Sequence, residues 1–476
     1  MTRGKSLAFL AAVAVVFMIA TATAAEQVTT LAGMGKKLRI DKEQISVSGI
    51  SSGGFMAHQF HVAHSANVRG AGIIAGGPYY CAEGKLTQGM HECTATGYYI
   101  GPPIAPQGKD ASDAAIKMAD DSVKATLSGD HNIDDPEELL QDKVILIHGI
   151  KDSLLREGVM DALYQYYQRI NVRFGQPPKT DKLVYLKTLP ITHAMPTDNF
   201  IGLPVKKNGG PGKVGDCQTS GTPFLNVCTP QDCAETCAKK DLSCSKQCVA
   251  EIDAAGVILT HIYGPPDPKT HIPGPLNPRC QKNQDRPDIP LCSEIKVKDW
   301  GRFNIPPTVE MNCQRSYGNF DPRCQWLQER LFTFDQSEAA HDLVNRYLWN
   351  KGYIFVPRQC EEHIDKKAKP CKLHIVFHGC LQGGGLGGHL IEQAIYSMGW
   401  THFVENAGYN EWANTNDIVV LYPQASTGIM TPDIQHINPQ GCWDFWGYTD
   451  SNYHTKDGRQ ISAIWRMVKL LVPDLN

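Results

Sequence analysis

Charge of one sign is what this 476-residue chain has least of: 46 Lys and Arg against 49 Asp and Glu leave a formal net charge of −3. Neither the basic excess that neutralises nucleic-acid phosphates nor an acidic tail is present, so no nucleic-acid partner is expected. Long apolar runs are also scarce. Leu7 to Ala20 is one, and it is too short for a comfortable bilayer crossing. No other run is long and apolar enough, so no membrane span is expected. Metal-ligand patterning is thin. His58, His61 and His64 recur at a spacing that drifts around a helix, with no carboxylate beside them, and no metal is expected. Gly383-x-Gly385-x-x-Gly388 matches a dinucleotide fingerprint formally. No ribose-binding acid stands in a clear place, so it reads as a loop and no cofactor is expected.

The residues that are present start with an address. Arg3 and Lys5 precede the apolar stretch, and Ala22-Thr23-Ala24 follows as an A-x-A cleavage site. Residues 1–24 thus read as a cleavable signal peptide, and the protein as secreted or periplasmic. Export explains the 16 cysteines as disulfides rather than thiols. Neighbour spacing suggests Cys81/Cys93, Cys217/Cys228, Cys280/Cys292, Cys313/Cys324 and Cys360/Cys371. Cys233, Cys237, Cys244 and Cys248 fit a helical hairpin clamped by two bridges, with zinc as the competing reading.

The chain is organised around Val47-Ser48-Gly49-Ile50-Ser51-Ser52-Gly53-Gly54. Gln44–Val47 before it is strand-like, and Phe55–His64 after it reads as a helix. Strand, sharp turn and helix form the context of a nucleophile elbow, with Ser51 as the nucleophile. Gly-x-Ser-x-Gly alone is weak, because a tight turn with a surface serine has the same pattern. Partners decide. Lys143–Gly149 is a buried parallel strand, and Asp152 stands in the loop after it. Lys182–Leu186 is another strand, and His193 lies in the following loop. Open α/β sheets place their sites at such strand ends. Serine, aspartate, histidine is also the triad order of α/β-hydrolases. Helices are expected over 110–128 and Leu155 to Ile170. Each residue has a plainer alternative: Asp152 as a helix N-cap, His193 as a surface loop residue.

Residues 201–330 change character, with prolines, cysteines and charges dominating. They read as a lid or insertion, apart from one amphipathic helix over Asp253–Tyr263. Strand patterns return in 331–476: Leu331–Asp335, Gly352–Pro357, Leu373–Cys380 and Ile418–Pro423, then a helix over Ile461–Val468. An α/β-hydrolase normally places several strands before its elbow, yet only about two dozen residues separate the cleavage site from Ser51. Moving 331–476 in front of 25–200 restores the usual order. The expectation is a circularly permuted α/β-hydrolase fold: a mostly parallel sheet, helices on both faces and a disulfide-rich insertion. The strand ending His378-Gly379-Cys380 would then adjoin the elbow strand, so the amides of Ser52 and Cys380 are candidate oxyanion donors. Gly441-Cys442-Trp443-Asp444-Phe445-Trp446-Gly447 is dense in aromatics. Cys442 pairing with Cys380 would bring Trp443 and Trp446 to the substrate cleft, with core packing as their alternative.

Taken in order, Gly49-Ile50-Ser51-Ser52-Gly53-Gly54, Ala75-Gly76-Gly77-Pro78, His148-Gly149 with Asp152, Thr192-His193-Ala194-Met195-Pro196-Thr197, Asp253-Ala254-Ala255-Gly256, Tyr353-Ile354-Phe355-Val356-Pro357, His378-Gly379-Cys380 and Gly441-Cys442-Trp443 resemble the secreted poly(3-hydroxybutyrate) depolymerases with a permuted catalytic domain. The resemblance implies a serine esterase cutting polyhydroxyalkanoate esters without a cofactor. It also implies Ser51, Asp152 and His193 as triad, Ser52 and Cys380 as oxyanion donors and Trp443 in the cleft. The hairpin and the stretch 266–325 depart from the pattern as insertions. No Thr-rich linker or polymer-binding module is recognised, which points to soluble oligomers as substrate. An esterase for other small or plant-wall acyl esters is the enzymatic alternative. A non-catalytic binding protein on a hydrolase scaffold is the other.

Overall fold

The computed structural model describes residues 28–94, 109–129, 131–177, 181–197, 204–207, 210–213, 220–221, 224–226, 253–264, 329–344, 346–362, 369–383, 402–427 and 433–475. The signal segment, the Cys217/Cys228, Cys280/Cys292 and Cys313/Cys324 pairs, the Cys233–Cys248 hairpin, the stretch 266–325, Gly385 and Gly388 lie outside them.

One sheet carries the fold. Its strands are β1 (Val28–Thr29), β2 (Ile40–Ile50), β3 (Val68–Ile74), β4 (Lys143–Gly149), β5 (Leu183–Leu189), β6 (Leu331–Asp335), β7 (Lys351–Phe355), β8 (Cys371–Phe377) and β9 (Ile418–Tyr422). Their order across the sheet is β1-β6-β7-β9-β8-β2-β3-β4-β5. From β9 to β5 every pairing is parallel, whereas β6–β7 and β7–β9 are antiparallel. The central strands are buried where helices cover both faces: β9 at every position and β2 over its second half, Ile45 to Ile50. β8, from the last third of the chain, lies beside the elbow strand β2 with Ile375 opposite Val47 and Phe377 opposite Gly49.

Helices cover both faces. They include α1 (Ser52–Ala63), α2 (Lys109–Leu127), α3 (Glu157–Arg173), α4 (Ala254–Tyr263), α5 (Tyr409–Thr415) and α6 (Arg459–Leu471). Alternation along β8 sorts them, because successive side chains point to opposite faces. Phe377 meets Phe60 of α1 at 5.9 Å between ring centroids, while His374 meets Tyr409 of α5 at 5.3 Å. His374 also bridges the hydroxyls of Ser46 and Ser48, at 2.6 and 2.8 Å, tying β8 to β2.

Two elements differ from expectation. β1 carries no sequence signal, since two residues cannot show a period. It pairs in parallel with β6, Val28 opposite Thr333, at the sheet edge. α4 is not amphipathic: Ala254 to Ile262 are all buried. Side chains on Gly70 and Gly72 would run into Ile262 and Ile258, so these bare positions let the helix lie close on β3. Asp253 caps it, accepting from the Gly256 amide at 3.1 Å and from the Trp412 indole at 2.6 Å. This part of 201–330 therefore belongs to the helix layer.

α1 is buried along its whole length, which explains its histidines. His58 bonds the Gly77 carbonyl, His61 sits between Asp142 and Tyr167, and His64 stacks on Trp465. Among the described residues three disulfides form, Cys81–Cys93, Cys360–Cys371 and Cys380–Cys442, each as the sequence suggested.

Candidate active site

The site begins where β2 turns into α1. Ser51 stands at that corner with φ 57° and ψ −125°, a conformation that L side chains rarely adopt. The turn is possible because its neighbours have no Cβ. One on Gly49 would lie 2.1 Å from the Gly53 carbonyl oxygen, and one on Gly53 would lie 2.3 Å from the Phe377 and His378 carbonyl oxygens. The strain lifts Ser51 clear of the sheet while Ser52 becomes the first residue of α1. Its amide has no partner within the helix, as expected of a first turn.

Asp152 follows β4, and His193 follows β5. Asp152 Oδ2 accepts from His193 Nδ1 at 2.8 Å. Asp152 Oδ1 accepts from the amides of Leu154 and Leu155 at 2.9 and 2.8 Å. α3 starts later, at Glu157 with Arg156 as its cap, so Asp152 is not a helix cap. Its side chain is 1% exposed and that of His193 is 7% exposed. Burial pushes the Asp152 carboxyl up, but His193, the Leu155 amide and His148 outweigh it and hold the group below its ordinary value. Asp152 is therefore anionic at neutral pH. Among the described residues the Ser51 hydroxyl makes no hydrogen bond, so the serine–histidine link is left open. Such links tighten when substrate binds.

The last third of the chain supplies the opposite wall. Gly379 abuts the elbow so closely that a Cβ there would be 3.2 Å from Ser51 Cβ. The Gly379 amide is taken by Gln382 Oε1 at 2.6 Å. Among the described residues no other group takes the Cys380 amide. His378 fixes this turn: its Nδ1 donates to the Gly379 carbonyl at 2.7 Å and its Nε2 accepts from the Ala425 amide at 3.1 Å. Burial lowers its pKa to about 4, consistent with one ring nitrogen donating and the other accepting. A Cβ on Gly383 would lie 2.4 Å from the His378 ring, so this glycine serves packing.

Both candidate cleft tryptophans are buried, Trp443 at 0% and Trp446 at 5% exposure. The Trp443 amide donates to Ser52 Oγ at 3.2 Å, and its ring lies against Phe377 and His378. Trp446 packs on Phe445 and Tyr448 and donates its indole N–H to the Gln435 carbonyl at 3.3 Å. Trp443 thus borders the elbow directly, whereas Trp446 lies in the packed interior of its loop. The loop is pinned by Cys380–Cys442 and by the buried Asp444, which accepts from the amides of Trp446, Gly447, Tyr448 and Thr449.

Sequence reasoning missed two contributors. Leu225 and Asn226, from the stretch read as an insertion, pair in parallel with Met195 and Pro196 just after His193. Asn226 Nδ2 also donates to Thr192 Oγ1 at 3.0 Å. The other is Gln382, which stands just before the glycine-rich loop. Its position three residues after Gly379 at a tight turn was the available signal.

No protein-family model matches the chain. It is 31% identical over 461 residues to a poly(3-hydroxybutyrate) depolymerase of Delftia acidovorans, covering 95% of this chain and 66% of that protein. A polyhydroxybutyrate depolymerase of Talaromyces funiculosus is 26% identical, with 91% of each chain covered. The crystal structure of PHB depolymerase from Penicillium funiculosum superposes with a TM-score of 0.57 at 25% identity, covering 94% of this chain and all of that one. A PHB depolymerase complexed with R3HB trimer gives the same TM-score at 24% identity. The chain is a homologue of the poly(3-hydroxybutyrate) depolymerases, related to them along nearly all of its own length.

Proposed function

We propose that this protein is an exported serine esterase that hydrolyses poly(3-hydroxybutyrate) or its oligomers through an acyl-enzyme. The carrying observation is the buried Asp152–His193 pair at 2.8 Å, set at the strand ends of a sheet whose elbow holds Ser51 at φ 57°. In this reading His193 takes the Ser51 proton as the hydroxyl attacks an ester carbonyl. Asp152 orients the imidazole and stabilises its charged form. The tetrahedral oxyanion is met by the amides of Ser52 and Cys380. His193 returns the proton to the leaving alcohol and then activates water to release the acyl group. Trp443, fully buried beside Ser52, would back the elbow rather than touch the acyl chain.

The polyester substrate is carried by the relatives: homologues named depolymerases align along the chain, and one solved neighbour is complexed with R3HB trimer. Among the described residues no helix is long and apolar enough to cross a membrane. Ser51→Ala should lower hydrolysis of 3-hydroxybutyrate oligomers by a factor of about 10⁴ or more while leaving the circular dichroism spectrum unchanged. A serine-directed phosphonate should label the wild type and not the variant. Unlabelled wild-type protein would support the non-catalytic reading. Faster release of acetyl or feruloyl groups than of 3-hydroxybutyrate would move the substrate to small esters.

A further inference from the structure

The two walls of the site come from distant parts of the chain, and one side chain joins them. Gln382 is 8% exposed and sits in the turn after β8. Its Oε1 accepts from the Gly379 amide at 2.6 Å, and its own amide donates to the Gly379 carbonyl at 3.3 Å. Its Nε2 donates across to the Phe224 carbonyl at 3.4 Å. That same carbonyl accepts from the Met195 amide at 2.8 Å, two residues after His193. Phe224 is held at φ 55°, and its ring stands edge-on to the His193 ring at 6.2 Å between centroids. A bulky residue at positive φ persists only where its surroundings over-determine it, and such residues gather at functional sites.

We propose that Gln382 is a positioning residue for this site: it locks the Gly379–Cys380 turn and, through the Phe224 carbonyl, ties that turn to the His193 loop. The inference rests on the hydrolase reading above. Its physical content follows from the donor count. Gln382 Oε1 holds the Gly379 amide, and the Gln382 amide holds the Gly379 carbonyl, which shares its peptide plane with the Cys380 amide, so the turn is fixed on both sides of Gly379 and the Cys380 amide is left to face an oxyanion. A carboxamide suits the place because it accepts at one end and donates at the other. Losing it lets the Cys380 donor wander, and donors act only when held at the position where charge develops.

Gln382→Leu and Gln382→Glu test this, assayed on a soluble short-acyl ester and on 3-hydroxybutyrate oligomers, with an alkylboronic acid as tetrahedral-adduct probe. Gln382→Leu should lower kcat by about tenfold to a hundredfold with KM little changed, and weaken the boronic acid by a similar factor. Gln382→Glu keeps the acceptor but at neutral pH has no proton for Phe224. Its kcat relative to wild type should rise as pH falls, because the neutral acid accepts and donates as the carboxamide does. Taking the ratio at each pH removes the pH dependence that the two proteins share. A merely structural role would lower the melting temperature and leave kcat, boronic-acid affinity and the pH ratio alone. If Gln382→Leu does not fold, the Gln382→Glu ratio decides. An active wild type with an unaffected Gln382→Leu, or a flat ratio, overturns the inference alone. A wild type that turns over no ester overturns the hydrolase reading and the inference with it.

Discussion

Among the described residues two buried histidine–aspartate pairs share a hydrogen bond, and they have opposite surroundings. His193 and Asp152 meet at 2.8 Å in loops at the strand ends, and His61 and Asp142 meet at 3.0 Å beneath α1. The second pair is the more enclosed, with both side chains at 0% exposure. Its histidine is also pinned on the other ring nitrogen by the Tyr167 hydroxyl at 2.9 Å. The carboxylates respond in opposite directions. Asp142 is raised by burial, which outweighs His61, Arg69 and Lys182, and its Oδ1 has no hydrogen-bond partner. Asp152 is lowered although burial works against it, because two loop amides and two histidines surround it. A histidine beside an aspartate is thus not by itself a catalytic signature. Chemistry needs an anionic partner, which Asp152 supplies, and a tie to the nucleophile's wall, which the His193 loop has through Phe224 and Gln382 to the turn that abuts Ser51.

The largest test of that contrast is activity. Asp152→Asn should lower kcat by about 10⁴, since the amide favours the wrong imidazole tautomer. Asp142→Asn should leave kcat on oligomers unchanged, because nothing at that pair can touch substrate. Equal losses in the two variants would show that the buried pair takes part. Stability should reverse the ranking. Asp142→Ala leaves His61 Nε2 without its partner inside the core and should cost about 3 kcal/mol. A shift of the urea midpoint, read below the temperature at which the variant melts, measures it. Asp152→Ala acts at a loop edge and should move the midpoint less.

Much of this was legible in the sequence because it is local. Ser51 lies in a strand–turn–helix segment whose glycines are demanded by contacts within a few residues and with one neighbouring strand. Asp152 and His193 follow apolar runs that read as buried strands. β8 and β9 are apolar enough to be recognised without their partners, and the place of β8 beside the elbow strand could be inferred. What escaped depends on distant pairing. Val28–Thr29 is a strand only because β6 lies beside it. Phe224 to Asn226 brace His193 through two residue pairs, too few to leave a period. α4 looked half-exposed because its polar residues were taken to face water, yet Thr260 and His261 are buried, with His261 bonded to the Lys182 carbonyl at 3.0 Å. Trp443 and Trp446 could not be sorted, since an aromatic residue carries the same signal in a cleft and in a core.

The smallest and most discriminating test is the acid limb of stability. Asp152 has a folded-state value below its ordinary 3.8. Its ionised form is favoured by folding, so its contribution is present above 3.8 and is lost as pH falls through the lower folded value. Asp142 is shifted the other way, so its contribution is present below 3.8 and is lost as pH rises through its raised folded value. Urea midpoints of wild type, Asp152→Asn and Asp142→Asn, taken from about pH 3 to about pH 7, separate the two. Subtracting each variant from wild type at each pH cancels every carboxylate the proteins share. The wild-type advantage over Asp152→Asn should grow as pH rises through this range, and the advantage over Asp142→Asn should shrink. Differences that run in the same direction would mean that the two aspartates sit in equivalent fields, and the distinction between a working pair and a packed one would fail at its electrostatic root.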